Sequence, residues 1–148
     1  MIKKFFAVTV LLLAALGAQG EVINIDNAEL ARLAASGVAV IDIRTEGEWK
    51  ETGIIPGSHP ITLFDEKGRA DPPVWLAKLK TLAKPDQPVV LVCRSGNRTK
   101  AGTQFLSQQA GYKTVYNVAK GIQVWIKEGR PMAPLTSAVA ACAPGGRC

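Results

Sequence analysis

Cys93-Arg94-Ser95-Gly96-Asn97-Arg98 is the stretch whose residue types and spacing suit covalent chemistry. The cysteine closes an apolar run, Val89 to Val92, and a helical pattern begins near Thr99. A short turn between a buried strand and a helix aims its peptide N–H groups, and the helix N-terminus behind them, at one sulfur, and such a nest holds an anion. The same field, with the positive charge of Arg94 and Arg98 added, stabilises a thiolate, so Cys93 is expected to be nucleophilic at neutral pH. Gly96 suits a loop that turns tightly and lets its backbone approach the sulfur. The plainer alternative is an inert cysteine at a strand end.

Other residues with functional chemistry stand apart from this loop. His59, the only histidine, invites a general-base role, but it precedes a proline and reads better as a loop residue. Trp49, Trp75 and Trp125 fall on separate helical patterns among apolar neighbours and read as packing residues. One histidine and three distant cysteines lack the spacing of metal ligands, so neither a metal nor another cofactor is expected.

The elements that must position the loop alternate between short β-rich runs and helical patterns, which predicts an α/β domain with a mostly parallel sheet. Val22 to Ile25 reads as an edge strand, followed by a helix capped by Asp26 or Asn27, running to about Ala35 and closed by Gly37. Val38 to Ile43 is apolar nearly throughout, as a strand covered on both faces should be. Thr45-Glu46-Gly47-Glu48 matches a capping box and opens a short helix that stops near Gly53. Beyond the turn Ile55-Pro56-Gly57, Ile61 and Leu63 suggest a third strand, and Asp65 to Asp71 a loop. Asp71 caps a helix with Pro72 in its first turn, running to about Leu82. Val89 to Val92 is the most apolar strand and is placed at the centre. A helix from about Thr99 to Gln109, a strand from Thr114 to Tyr116 and a helix from Ile122 to Lys127 complete the set.

The chain has 148 residues, enough to bury a real core. Residues 1–20 read as a signal peptide: Lys3 and Lys4, an apolar run from Phe5 to Leu16, then Ala18-Gln19-Gly20 where a peptidase would cut before Glu21. An uncleaved anchor is the alternative; the run is short for a span, so no stable membrane association is expected after cleavage. The expected location is periplasmic or secreted. Of the formal net charge of +6, two lysines leave with that leader, and the remaining charges are scattered rather than gathered in a stripe, so no nucleic-acid partner is expected. An odd number of cysteines in an oxidising compartment suggests one pair and one working thiol. The expected division is a pair of Cys142 and Cys148 in the flexible tail, residues 132–148, and a free Cys93.

Four stretches within the domain assigned to residues 21–131 resemble the rhodanese superfamily. Asp42-Ile43-Arg44 with Glu48 and Gly53-Ile54-Ile55-Pro56-Gly57-Ser58 is similar to its D-x-R…E…G-H-I-P-G-A signature, and Cys93 to Thr99 to its C-x-x-G-x-R-(S/T) active loop. Val118 to Trp125 resembles its G-G-x-x-x-W segment, and Gly129-Arg130-Pro131 its terminal G-x-P. Ile54 stands where the family usually has His, and Lys120 replaces the first glycine of the pair before Ile122. The resemblance implies a rhodanese-like α/β fold with a roughly five-stranded, mostly parallel sheet, helices on both faces, and the active loop at the carboxyl end of a central strand.

It also implies a thiosulfate:cyanide-type sulfurtransferase. Thiolate Cys93 would take the outer sulfur of thiosulfate or another anionic donor, then pass it from a persulfide to cyanide or a thiol. The backbone of Arg94, Ser95, Gly96, Asn97 and Arg98 would hold donor and persulfide, with the Arg94 and Arg98 side chains orienting the anion. Either arginine could instead face solvent or be tied to a loop carboxylate. Asp42 and Arg44 would pair and pin loops near the site. Alternatives are a non-enzymatic persulfide carrier or partner-binding module, and a phosphatase or arsenate reductase on the same fold. The latter enzymes use a loop one residue longer, and its arginine position is Thr99 here. A minor alternative is thiol redox chemistry, with Cys142 or Cys148 resolving an oxidised Cys93.

Overall fold

The computed structural model describes residues 18–136. The expected leader, apart from its last three residues, and the tail cysteines Cys142 and Cys148 lie outside the described residues. Five strands, β1 (Glu21–Ile25), β2 (Ala39–Asp42), β3 (His59–Pro60), β4 (Val89–Val92) and β5 (Thr114–Val118), form one sheet in the order β1-β5-β4-β2-β3. Every pair is parallel. The connections carry α1 (Asn27–Ala35), α2 (Glu46–Thr52), α3 (Pro72–Leu79) and α4 (Asn97–Gln108), and α5 (Ile122–Lys127) follows β5. No helix among the described residues is long and apolar enough to cross a membrane.

β4 lies in the middle of the sheet, and its four residues Val-Val-Leu-Val are wholly buried. Because successive strand side chains point to opposite faces, β4 feeds two cores. Val89 and Leu91 pack with Ile41, Ile43, Val115, Trp75, Leu79 and Leu106 on the side of α3 and α4. Val90 and Val92 pack with Val40, Val118, Leu30, Leu33, Ile122 and Trp125 on the side of α1 and α5. Each such side chain contributes about 1.5–3 kcal/mol by leaving water. Cys93, next in the alternation, joins the first core and is 1% exposed. The three tryptophans are buried, as packing residues should be.

The starts of α1, α2 and α3 follow their capping residues. Asp26 accepts the Glu29 N–H, Asp71 accepts the Val74 N–H, and Thr45 and Glu48 form the reciprocal box that opens α2.

The larger departures from the sequence reading are at β5, which runs to Val118 rather than stopping at Tyr116, and at β3, α3 and α4. The third strand is His59–Pro60, ahead of Ile61 and Leu63, so His59 is a half-buried strand residue paired with Ile41 and not a loop residue. Ile61 and Leu63 still donate to the carbonyls of Asp42 and Ile43, but their side chains turn into and against the core. α3 ends at Leu79, short of Leu82, where turn bonds from Thr81 and Leu82 replace the helical pattern. α4 begins at Asn97, two residues before Thr99, because its N-cap is Gly96 in a left-handed conformation rather than a polar side chain.

Candidate active site

Cys93 stands immediately after the carboxyl end of β4, and α4 starts four residues on, so the intervening turn folds over its sulfur. The Gly96 N–H donates to Cys93 Sγ at 3.1 Å. Gly96 makes this approach at φ +94°, and a Cβ there would fall 2.0 Å from the carbonyl oxygen of Ala119. Thr99, in the first turn of α4, donates its hydroxyl to Gly96 O at 2.9 Å and lies 3.7 Å from the sulfur as acceptor of the thiol. α4 has no side-chain cap, and the N–H groups of Asn97 and Arg98 find no acceptor among the described residues. The sulfur therefore sits at a helix N-terminus that keeps unpaired donors for an anion.

A second turn braces the loop from behind. Ile122 N–H donates to Cys93 O at 2.8 Å and Gln123 N–H to Arg94 O at 3.2 Å, so the start of α5 is bonded to the active turn. Gly121, at φ +68°, passes so close that a Cβ would meet Arg94 O at 2.2 Å. Among the residues expected in the loop, Arg94 and Asn97 are exposed, Ser95 and Arg98 half-buried, and Gly96 buried.

Arg98 does not stand free. Its Nη1 and Nη2 donate to Glu48 Oε2 and Oε1, both at 2.7 Å, joining α4 to α2. Glu48 also accepts the Thr45 N–H at 3.0 Å, so one carboxylate serves the capping box and the active-loop arginine together. The Arg98 hydrogen bonds, set against desolvation, hold the Glu48 carboxyl down at about 2. The same partner raises the Arg98 pKa, and the nearby Cys93 adds a smaller contribution in that direction. Local sequence offers no signal for this pair, fifty positions apart. Thr99 was likewise absent from the expected site residues, although its place directly after the loop arginine was available as a cue.

Asp42 and Arg44 form the second ion pair near the loop, with Nε to Oδ1 at 2.9 Å and Nη2 to Oδ2 at 2.7 Å. Both are fully buried, at 0% and 1% exposure. Arg44 also donates to Thr52 Oγ1 and Gly53 O, each at 2.8 Å, which fastens the end of α2 to the end of β2. An ion pair so buried is tolerated because its donors and acceptors are satisfied, and its service is to fix geometry. His59 takes no part: burial alone lowers its pKa. A cleft of about 760 Å³ lies between α2 and Met132–Thr136, lined by Trp49 and Leu135 among others, and does not include the Cys93 loop. The Cys93 turn thus forms a backbone cradle apart from that cleft.

A family model described as a rhodanese-like domain matches residues 26–128. Thiosulfate sulfurtransferase 18 of Arabidopsis thaliana is 31% identical over 117 residues, covering 76% of this chain and 84% of the relative. A sulfurtransferase of Allochromatium vinosum is 33% identical over 96 residues, 64% of this chain and 78% of its own length. Among solved structures, a human single-domain sulfurtransferase superposes with a TM-score of 0.54 at 27% identity, over 71% of this chain and 96% of that one. A rhodanese-related protein of Thermoplasma volcanium gives 0.57 at 29% identity, over 75% and 97%.

Proposed function

As this chain belongs to the rhodanese-like family, we propose that it is a thiosulfate:cyanide-type sulfurtransferase that carries sulfur as a persulfide on Cys93. The observation that carries the reading is the Gly96 N–H at 3.1 Å from Cys93 Sγ, at the uncapped N-terminus of α4. In the first step the Cys93 thiolate attacks the outer sulfur of thiosulfate. The S–S bond of the donor breaks, sulfite leaves with the electron pair, and Cys93 becomes an anionic persulfide. In the second step cyanide attacks the terminal sulfur, thiocyanate departs, and the thiolate returns. A thiol acceptor would leave as a persulfide in the same way. Both steps move an anion through one point, where the unpaired N–H groups of Asn97 and Arg98 stabilise the charge without reorganising.

Persulfide transfer needs no general base once the thiolate is stabilised by the turn. The relatives named as sulfurtransferases support the transferase reading. Its place would be outside the cytoplasm, on the strength of the basic and apolar leader read from the sequence.

The test is mass spectrometry of protein incubated with thiosulfate, followed by transfer to cyanide. A gain of one sulfur on the Cys93 peptide, thiocyanate formation, and loss of both in Cys93→Ser with an unchanged fold are the expected results. Activity of Cys93→Ser within about tenfold of wild type, less than about 1.4 kcal/mol of barrier, would remove the assignment. A persulfide that forms but reaches neither cyanide nor small thiols would favour a dedicated carrier.

A further inference from the structure

Anion recruitment at Cys93 needs positive charge that is not already spent on a fixed partner. Arg98, the cation built into the loop, gives both terminal nitrogens to Glu48 at 2.7 Å, and the pair is close to neutral as seen by an approaching donor. Besides Lys100, whose N–H donates to Gly96 O from within α4 at 3.2 Å, two cations border the active turn, Arg94 and Lys120. Both are exposed, and neither pairs with a carboxylate among the described residues.

Lys120 owes its place to the turn between β5 and α5. The residue before it, Ala119, lays its carbonyl oxygen 2.0 Å from where a Gly96 Cβ would stand. The residue after it, Gly121, passes 2.2 Å from Arg94 O by the same measure. Lys120 is thus held at the rim of the sulfur cradle by neighbours on both sides that touch the active turn. It also occupies the position where the sequence resemblance calls for a glycine, which would bring no charge.

We propose that Lys120, acting with Arg94, is the specificity-determining cation that draws anionic sulfur donors to Cys93, while Arg98, clamped by Glu48, is a positioning residue for the loop. The assignment rests on the reading of Cys93 as the reactive nucleophile and names the charge that selects its substrates. A flexible ammonium at the rim suits this role, because it meets the donor before docking and leaves the short-range contacts to backbone N–H groups.

The test separates this assignment from sulfur transfer itself by comparing two alkylating reagents of similar size. Iodoacetate is anionic and iodoacetamide neutral, and their rates at Cys93 are read by mass spectrometry of its peptide in the full chain at low salt. Lys120→Gln should lower the iodoacetate-to-iodoacetamide ratio by about fivefold, Lys120→Glu by more, and Lys120→Arg should restore it. The difference should shrink toward 1 M salt, where the Debye length falls to about 3 Å. In parallel, Lys120→Gln should raise KM for thiosulfate with kcat little changed. An unchanged alkylation ratio in Lys120→Gln overturns the proposal, as does inertness of Cys93 toward both reagents. A lowered ratio in Lys120→Gln, together with wild-type protein that takes no sulfur from thiosulfate, would overturn the proposed donor and leave the role of Lys120 standing.

Discussion

Gly96 holds φ +94° with its N–H on the sulfur and its α-carbon against Ala119 O, so one residue meets two demands that no side chain allows. A left-handed backbone costs an ordinary residue roughly 1–2 kcal/mol, and a Cβ at 2.0 Å from a carbonyl oxygen must displace that carbonyl or the loop. Gly96→Ala is therefore expected to destabilise the domain by more than about 2 kcal/mol and to slow sulfur transfer at least tenfold. Thermal unfolding and persulfide formation on the same preparation check both parts, and a variant of normal stability and rate would show the turn to be more pliable than drawn. This residue was legible in the sequence, because a glycine after a strand-ending cysteine has few other uses. Arg98 was only half legible. Its type and position were evident, whereas its carboxylate partner depends on how α2 and α4 approach in space, which no local pattern encodes.

α2 and α4 meet through the Glu48–Arg98 pair, and the meeting has a pH signature. Glu48 is depressed from 4.5 to about 2, chiefly by the hydrogen bonds from Arg98. A carboxyl lowered on folding adds stability that is complete above its unfolded value and is lost as pH falls through the folded one, so the window is from about 4.5 down to 2. Arg98 stays charged throughout. A shift of that size corresponds to at most about 3–4 kcal/mol, and with the two side chains still 27% and 20% exposed about 1–2 kcal/mol is expected. Denaturant midpoints measured across this window should fall steeply for wild type and more gently for Glu48→Gln, which keeps an amide oxygen for the Thr45 N–H. Parallel curves would mean that the pair carries no acid dependence. Elements with ordinary caps, such as those at Asp26, Thr45 and Asp71, were legible for the reason that the cap is local chemistry. α4 escaped by two residues since its first turn is left open beside Cys93, and the functional requirement there replaces the usual start signal.

At the scale of the whole molecule, alternation of strands and helices was enough to read the parallel sheet and its central strand, but not where the chain stops contributing to the fold. Proline and small residues after Arg130 read as a tail, yet Ala133 and Ile54 exchange both backbone hydrogen bonds at 2.8 Å, forming an isolated bridge beyond the expected boundary. Pairing of this kind is invisible locally, because it joins single residues rather than strands of recognisable pattern. Its partner Ile54 is 1% exposed and adjoins Gly53, whose carbonyl accepts from Arg44, so the C-terminal segment supports the same end of α2 that the buried ion pair holds. A chain ending at Pro131 loses two hydrogen bonds worth about 0.5–1.5 kcal/mol each and uncovers apolar surface on Ile54 and Trp49. We expect it to be about 2–4 kcal/mol less stable than a chain ending at Thr136, which keeps the bridge. Sulfur transfer well below the melting temperature should fall less than the stability does, because the Cys93 cradle is built by β4, α4 and the β5–α5 turn on the sheet itself. Equal melting temperatures for the two chains would show the bridge to be dispensable. A transfer rate that collapsed while stability held would instead place the end of α2, through Glu48 and Arg98, in control of the loop.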